Sequence, residues 1–306
     1  MPEPRTEPRA HLVLANEQAG STERQNVALA VARLAEHHPV RLHWTSSPED
    51  FQRAIADAAD DVQLVVAGGD GSIHLALETV ADLGCTDRPV GIIPLGTGND
   101  FARNHDLPLD PEGAADVVLH GRATSVDAIE LVHGQRRELI ANNLHVGLGV
   151  DAANRAQSLK KGLGRFAYPV ATALVGTTGE SRPHRILVDG ERVWDGPLLA
   201  GLVLLGPSMG GGVEVLEDSD TRSVDVVAIG AMEPRERLAL VRTMLRGEIT
   251  DDPHAQRWTA ETVEIGAHGG VEVDADGELT TYPSPIHLRH VRGAWTVLTP
   301  ASGSAS

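Results

Sequence analysis

The chain has 306 residues, which allows one large domain or two modest ones, and 41% of them are hydrophobic, enough to build cores. Its formal net charge of −17 repels nucleic-acid phosphates, so no nucleic acid is expected as a partner. The single cysteine, Cys85, excludes an intramolecular disulfide and fits a reducing compartment. A polar, proline-rich first segment and the lack of an apolar run of about 18 residues predict a cytoplasmic protein without a signal peptide or membrane-spanning helix.

Strands and helices alternate along the first part of the chain. Residues 62–67 are apolar throughout, as in a parallel strand that is covered on both faces. Ser47 is placed to cap a helix that has Pro48 at its first position. The alternation predicts a doubly wound, mainly parallel α/β domain over residues 1–127. Its predicted strands are 11–15, 40–44, 62–67 and 90–94, and its helices include 23–37 and 73–83.

The pattern changes near Ser125, where short β-rich segments begin to follow one another, separated by turn sequences. A succession of short strands predicts a β-sandwich-like second domain over residues 128–285, interrupted by a helix at 234–246. The last segment, 286–306, either adds a strand to this domain or returns to the first one.

Two glycine-rich loops follow predicted strands. The first is Gly68-Gly69-Asp70-Gly71-Ser72, and the second runs from Pro94 to Arg103 with the sequence PLGTGNDFAR. Glycine permits positive φ angles and close approach to a ligand, and a following helix offers its first N–H groups to a phosphate. A carboxylate at Asp70 then suggests contact through Mg²⁺ or a hydroxyl. Each loop alone is equally compatible with an ordinary strand-to-helix turn, and no P-loop sequence occurs.

In this order and spacing, the two loops resemble the catalytic domain shared by diacylglycerol, sphingosine and ceramide kinases and the soluble bacterial lipid kinases. Further similarity extends from about residue 11 to residue 300. It includes NEQAG at 16–20, Thr45, Asn142, Gly164, Tyr168, GGG at 210–212 and Asp276-Gly277-Glu278.

The resemblance implies an ATP- and Mg²⁺-dependent kinase with its active site in the cleft between an α/β domain and a β-sandwich. Asp70 would act through Mg-ATP, and Asp276 would be the general base that accepts the proton of the lipid hydroxyl. Asp274 is a rival base, and the second DGE triplet, which begins at Asp189, is interpreted as a hairpin turn. The resemblance places the following residues at the nucleotide: Asn16, Thr45, Gly68, Gly69, Gly71, Ser72, Pro94, Gly96, Thr97, Gly98, Asn99, Asp100 and Glu278.

Some positions depart from the family. His74 and Leu75 replace an Asn-Glu pair, Leu205 stands where Asn is common, and the short segment 216–224 does not predict the family's structural Mg²⁺ site. A diacylglycerol-like acceptor is expected, but another hydroxylated small molecule, a glycolipid, or a non-catalytic nucleotide-binding role stays open. Residues 155–170 are cationic and aromatic, and are interpreted either as a solvated helix face or as a contact with the membrane surface that holds the lipid substrate. A homodimer is also compatible with the sequence.

Overall fold

The computed structural model describes residues 8–134, 136–147, 181–209, 213–216, 223–244 and 246–301. The chain divides into two compact units, of which the first comprises Met1–Val126 with Gly293–Ser306 and the second Asp127–Arg292. Several positions singled out from the sequence lie outside the described residues, namely 155–170 with Gly164 and Tyr168, the glycines at 210–212, and 217–222.

The first unit is built on a parallel sheet. Its strands are β1 (Ala10–Asn16), β2 (Val40–Thr45), β3 (Val62–Gly68) and β4 (Val90–Pro94), in the order β4-β3-β1-β2. Val13, Leu14, Val65, Val66 and Ile93 are completely buried, as expected for strands covered on both faces. The predicted parallel α/β sheet is therefore confirmed.

Helices connect these strands: α1 (Ser21–Ala35), α2 (Pro48–Ala56), α3 (Asp70–Asp82), α4 (Asp100–Asn104) and α5 (Pro111–His120). The predicted cap of α2 is confirmed, because the Ser47 hydroxyl accepts the N–H of Asp50 at 3.2 Å. Helix α3 begins at Asp70, three residues before the predicted start. Its first turn contains Gly71 and Ser72, which carry no apolar signal, so the hydrophobic periodicity becomes visible only at Ile73.

The second unit is a β-structure in which all recorded pairings between described strands are antiparallel. The ladder runs β16-β15-β7-β9-β8-β14-β17, and β12 pairs with β9 and β13. These strands are β5 (Arg122–His133), β6 (Arg136–Ile140), β7 (Asn143–Gly147), β8 (Arg182–Val188), β9 (Glu191–Leu204), β10 (Ser208–Met209), β11 (Val213–Glu214), β12 (Val224–Gly230), β13 (Ala255–Ala260), β14 (Thr262–Ala267), β15 (Val271–Ala275), β16 (Glu278–Tyr282) and β17 (Ile286–Thr299), with one helix, α6 (Pro234–Met244), and a 3₁₀ turn at Ile249–Asp251.

Strand β12 shows why this unit has two hydrophobic cores. All seven of its residues are buried, with Val224, Val226 and Ala228 in one cluster and Val227 and Ile229 in the other. Because successive side chains of a strand point to opposite faces, β12 is covered on both sides, as in a sandwich. This confirms the predicted β-sandwich-like domain.

The boundary between the two units falls inside two strands, after Val126 in β5 and after Arg292 in β17. The last part of β17 belongs to the first unit, where Val297 pairs with Val90 of β4 in parallel. Among the helices of the described residues, none combines the length and apolar character needed to cross a bilayer.

Candidate functional site

Four of the predicted nucleotide-site residues lie at the carboxyl edge of the parallel sheet. Asn16 and Thr45 are direct partners at the ends of β1 and β2, and Gly68 and Pro94 are direct partners at the ends of β3 and β4. Ligands of open α/β sheets bind outside the carboxyl ends of the strands. The edge that carries both glycine loops is therefore the expected binding edge of this unit.

The two glycine loops contact each other backbone to backbone. A methyl group added at Gly96 would lie 2.6 Å from the Cα of Gly69, and one added at Gly68 would lie 2.6 Å from the Ser72 hydroxyl oxygen. Of the two properties that glycine offers, these loops do not use positive φ, because Gly68, Gly69, Gly71, Gly96 and Gly98 are not among the residues with positive φ. A side chain is therefore excluded at Gly96 by the Gly69 backbone, and the space at Gly68 and Gly69 is tight.

The left-handed conformation in this region belongs to Asn99, which has φ 55° and ψ 42° just before α4. Asn tolerates this conformation better than most residues do. Its side chain is 7% exposed, and its Oδ1 has no hydrogen-bond partner among the described residues. A buried amide oxygen without a partner is unfavourable in the fold alone, so its position beside the glycine loops is consistent with a ligand contact.

Asp70 ties the two loops together, and Arg103 holds the second loop in its own conformation. Asp70 lies in the first turn of α3, and its Oδ1 accepts the N–H of Phe101 from α4 at 3.0 Å. The Arg103 side chain donates to the carbonyl oxygen of Gly98 at 3.1 Å, and the neighbouring Asp100 is buried. Asp70 thus has a structural contact in addition to the role predicted for it.

The surface of this paired loop is open at two places. Gly71 and Thr97 are exposed, and a methyl group added at Gly71 would meet nothing within 4 Å. Gly71 also lies in the first turn of α3, where backbone N–H groups favour an anion. At the neighbouring strand ends, the Thr45 hydroxyl donates to the Ala15 carbonyl and Asn16 accepts the N–H of Gln18, so both side chains are oriented locally.

In the second unit, Asp276 occupies a tight turn between β15 and β16. It has φ 48°, and Gly277 follows with φ 91°, which is the conformation of a two-residue hairpin turn. The Asp276 carboxylate accepts three backbone N–H groups from the β6–β7 connection: Ala141 to Oδ2 at 2.6 Å, and Asn142 and Asn143 to Oδ1 at 2.9 and 3.1 Å. The Asp276 N–H in turn donates to the Asn143 carbonyl oxygen at 3.1 Å. Glu278 follows the turn and is exposed.

The rival base, Asp274, is buried rather than presented at the turn. It is 4% exposed and lies directly opposite His145 in the β15–β7 ladder, with 3.8 Å between Asp274 Oδ2 and His145 Nδ1. Burial lowers the pKa of His145 to about 4, against the opposing effect of the Asp276 charge. The imidazole is therefore neutral near pH 7. His145 was not predicted as a site residue, although it lies in the buried strand that begins directly after Asn142.

The other DGE triplet is the hairpin turn that the sequence predicted, and its construction repeats that of Asp276. Asp189 and Gly190 have φ 49° and 82° between β8 and β9. Asp189 Oδ1 accepts the N–H groups of Glu261 and Thr262 and the Thr262 hydroxyl, and its own N–H donates to the Thr262 carbonyl. The geometry of the turn alone thus does not show whether its aspartate acts as a general base or only holds the neighbouring loop in place.

Comparison with known proteins adds to this geometry. Residues 10–131 match the family described as the diacylglycerol kinase catalytic domain, and residues 142–299 match the family described as the YegS C-terminal NAD kinase beta sandwich-like domain. The chain is 32% identical over 280 residues to a Pseudomonas fluorescens protein named "Probable lipid kinase YegS-like", covering 89% of each chain. It is 30% identical over 259 residues to a Mycobacterium tuberculosis protein named diacylglycerol kinase, covering 82% of this chain and 80% of the relative.

The fold is also found among solved structures. A crystal structure described as a diacylglycerol kinase from Bacillus anthracis superposes with a TM-score of 0.72 at 19% identity, covering 97% of this chain and 99% of the other. At that identity the likeness supports the two-domain fold.

Proposed function

Because the chain belongs to the diacylglycerol kinase catalytic domain family, with the matching C-terminal domain, we propose that it is an ATP-dependent kinase of a lipid hydroxyl with a diacylglycerol-like acceptor. The observation that carries the proposal is the pair of glycine loops, packed backbone to backbone at the carboxyl edge of the parallel sheet and open at Gly71 and Thr97. Membership of this family makes the protein a phosphotransferase with an alcohol acceptor.

The residues of the first unit fit a magnesium nucleotide. Open space at Gly71, the first turn of α3 and the unpaired Asn99 amide oxygen suit phosphate and ribose groups, and Asp70 supplies a carboxylate of the kind that Mg²⁺ prefers. When bound, Mg²⁺ neutralises negative charge on the phosphate oxygens. In this proposal Asp70 has two tasks, because it also holds the N–H of Phe101 and with it the start of α4.

Asp276 is proposed as the general base of the second unit. Three N–H groups fix both oxygens of its carboxylate, so the side chain is oriented before any acceptor binds. An aliphatic hydroxyl is a poor nucleophile, and a carboxylate in hydrogen-bond contact takes its proton as the new bond to phosphorus forms. That Asp276 faces the nucleotide loops stays a prediction from the family resemblance.

The test is a transfer assay with labelled ATP and a native lipid extract, with products identified by mass spectrometry. Wild-type protein is expected to yield a phosphorylated lipid. Asp276→Asn is expected to reduce turnover by roughly 10²–10⁴-fold while ATP affinity stays nearly constant. Asp189→Asn is the matched control, because it changes the other braced hairpin of the same unit and should leave turnover unchanged.

Two outcomes would contradict the proposal. Formation of product only from a soluble hydroxylated acceptor would remove the lipid. ATP binding without product from any acceptor, lipid or soluble, would favour the non-catalytic alternative. Equal losses in the Asp276 and Asp189 variants would show that the assay reports the integrity of the hairpins rather than a base.

A further inference from the structure

The turn that follows β1, residues 16–20, contains a residue predicted to contact the nucleotide. It lies at the carboxyl edge of the parallel sheet, where its first residue, Asn16, pairs with Thr45. All residues of the turn are exposed except Ala19, which is half-buried. Since the turn buries no side chain in a core, its conformation depends on hydrogen bonds.

Backbone groups make some of these bonds. The Ala19 N–H donates to the Asn16 carbonyl oxygen at 3.0 Å, and the Glu17 N–H donates to the Thr45 carbonyl oxygen at 3.0 Å. The carbonyl oxygens of Ala19 and Glu17 are both held by Arg24 of α1, whose Nε donates to the first at 3.1 Å and whose Nη2 donates to the second. One guanidinium thus fixes two carbonyl groups of the turn.

Trp44 in turn holds Arg24. The Arg24 Cζ lies 4.4 Å from the centre of the Trp44 ring, within the range of about 6 Å for a cation–π interaction. Trp44 is half-buried and directly precedes Thr45 at the end of β2. Because a guanidinium is planar, it can stack on a ring while its edge donates N–H groups. Arg24 therefore joins α1, the turn and the end of β2.

Part of this arrangement is a general way to close the start of a helix. Arg103 donates its Nε to the carbonyl oxygen of Gly98, and Arg237 donates its Nε to that of Met232, in each case five residues earlier, as Arg24 does. What distinguishes Arg24 is its second carbonyl group and the Trp44 ring beneath it. These additional contacts are made at the edge of the sheet that carries the glycine loops.

We propose that Arg24 is a positioning residue of the nucleotide site, which fixes the turn of residues 16–20 and thereby keeps Asn16 in the conformation that contacts the nucleotide. The inference rests on the proposed function. Without Arg24 the turn would adopt the binding conformation only part of the time, and the apparent Kd for ATP would rise by the inverse of that fraction. A fraction of about 10–30% corresponds to a three- to tenfold loss of affinity.

Calorimetry with Mg-ATP, and kinetics with a short-chain diacylglycerol as acceptor, test this inference. Arg24→Ala should raise the Kd and the KM for ATP about three- to tenfold, with kcat and the KM for the acceptor nearly unchanged. Arg24→Lys should show a similar loss, because an ammonium group keeps the charge but cannot hold both carbonyl groups while stacking on the ring.

Two further variants complete the design. Trp44→Leu should weaken ATP binding less than Arg24→Ala does, and the double variant should bind no more weakly than Arg24→Ala alone, since Trp44 acts through Arg24. The matched control is Arg53→Ala, which should keep wild-type ATP affinity. Arg53 is also an exposed arginine near a helix start, but its Nε donates to the Glu49 carbonyl oxygen within its own helix at 3.2 Å.

Full ATP affinity in a folded Arg24→Ala protein, even one of lower stability, overturns the inference while the proposed function stands. Restoration of affinity by Arg24→Lys also overturns it, because the charge alone would then be sufficient, and so does an equal loss in Arg53→Ala. If Arg24→Ala does not fold, unchanged affinity in both Arg24→Lys and Trp44→Leu overturns the inference. Absence of ATP binding by the wild-type protein refutes the proposed function itself.

Discussion

Replacing Asp276 by Asn should destabilise the second unit more than replacing Asp189 by Asn, even though both changes are nearly isosteric. Asp276 uses both carboxylate oxygens, one for Ala141 and the other for Asn142 and Asn143. An amide has only one oxygen, so at least one of these buried N–H groups would face the NH₂ group. Leaving a buried donor unpaired costs about 1–3 kcal/mol, and the remaining bonds lose their charged acceptor. We expect a total loss of roughly 2–4 kcal/mol.

Asp189 differs because its recorded bonds all use Oδ1 and its donors are exposed. An Asn side chain with its oxygen in that position keeps all three bonds, so the expected loss is below about 1 kcal/mol. The two variants should therefore differ by about 2 kcal/mol, or roughly 4–8 °C in the thermal midpoint of this unit.

Urea and thermal unfolding, followed by circular dichroism, measure this difference. Equal midpoints for the two variants, or a larger loss for Asp189→Asn, would refute the reasoning from oxygen count and burial. The result also governs the activity test, because the amide of Asp276→Asn faces three N–H donors with a single acceptor oxygen and so disturbs the local structure as well as removing the base. Turnover of this variant should be measured well below its unfolding temperature.

Two further predictions follow from the described contacts. Gly96→Ala should lower stability by roughly 1–3 kcal/mol and weaken ATP binding, because its methyl group would lie 2.6 Å from the Cα of Gly69. Gly71→Ala, whose methyl group would meet nothing within 4 Å, should fold as well as wild type but should also weaken ATP binding. Calorimetry that shows full ATP affinity for Gly71→Ala would remove Gly71 from the site. The pKa of His145 in the folded state, about 4, lies below its ordinary value of 6.5. The stability that the neutral imidazole contributes is therefore present above pH 6.5 and is lost as the pH falls towards 4, and the total loss is about 3 kcal/mol. Urea unfolding at pH 7, 5.5 and 4.5 should show a shallower loss in His145→Leu than in wild type, with exposed His287→Leu as control, and parallel pH profiles would contradict this.

Much of the first unit could be predicted from the sequence because its signals are local. Apolar strands such as 62–67 and the Ser47-Pro48 cap depend on neighbouring residues, and the two loop sequences were distinctive enough to indicate the family. What the sequence did not reveal is contact between distant residues. The contact between Gly69 and Gly96 and the bond from Phe101 to Asp70 join separate loops. The sequence therefore indicated loops that approach a ligand closely, but not that the two loops pack against each other.

The same limit applies to the second unit. The triplets that begin at Asp189 and Asp276 have the same sequence, Asp-Gly-Glu. Asp189 was interpreted as part of a hairpin turn and Asp276 as the general base only because of their order among the family motifs. Their turns are alike, but the backbone N–H groups that each aspartate accepts lie more than 70 residues away for Asp189 and more than 130 residues away for Asp276. Neither these hydrogen bonds nor the burial of Asn142 and His145 can therefore be predicted from the local sequence.

The course of β17 has a practical consequence for dissecting this protein. Trp295, Val297 and Leu298 are almost completely buried in the first unit, and Val297 hydrogen-bonds alongside β4. A fragment that stops at Val126 would lack this strand and leave β4 as an uncovered sheet edge, which invites aggregation. A self-standing nucleotide-binding fragment should therefore carry residues 293–301 joined by a short linker, or be made as a circular permutant in which that strand precedes β1.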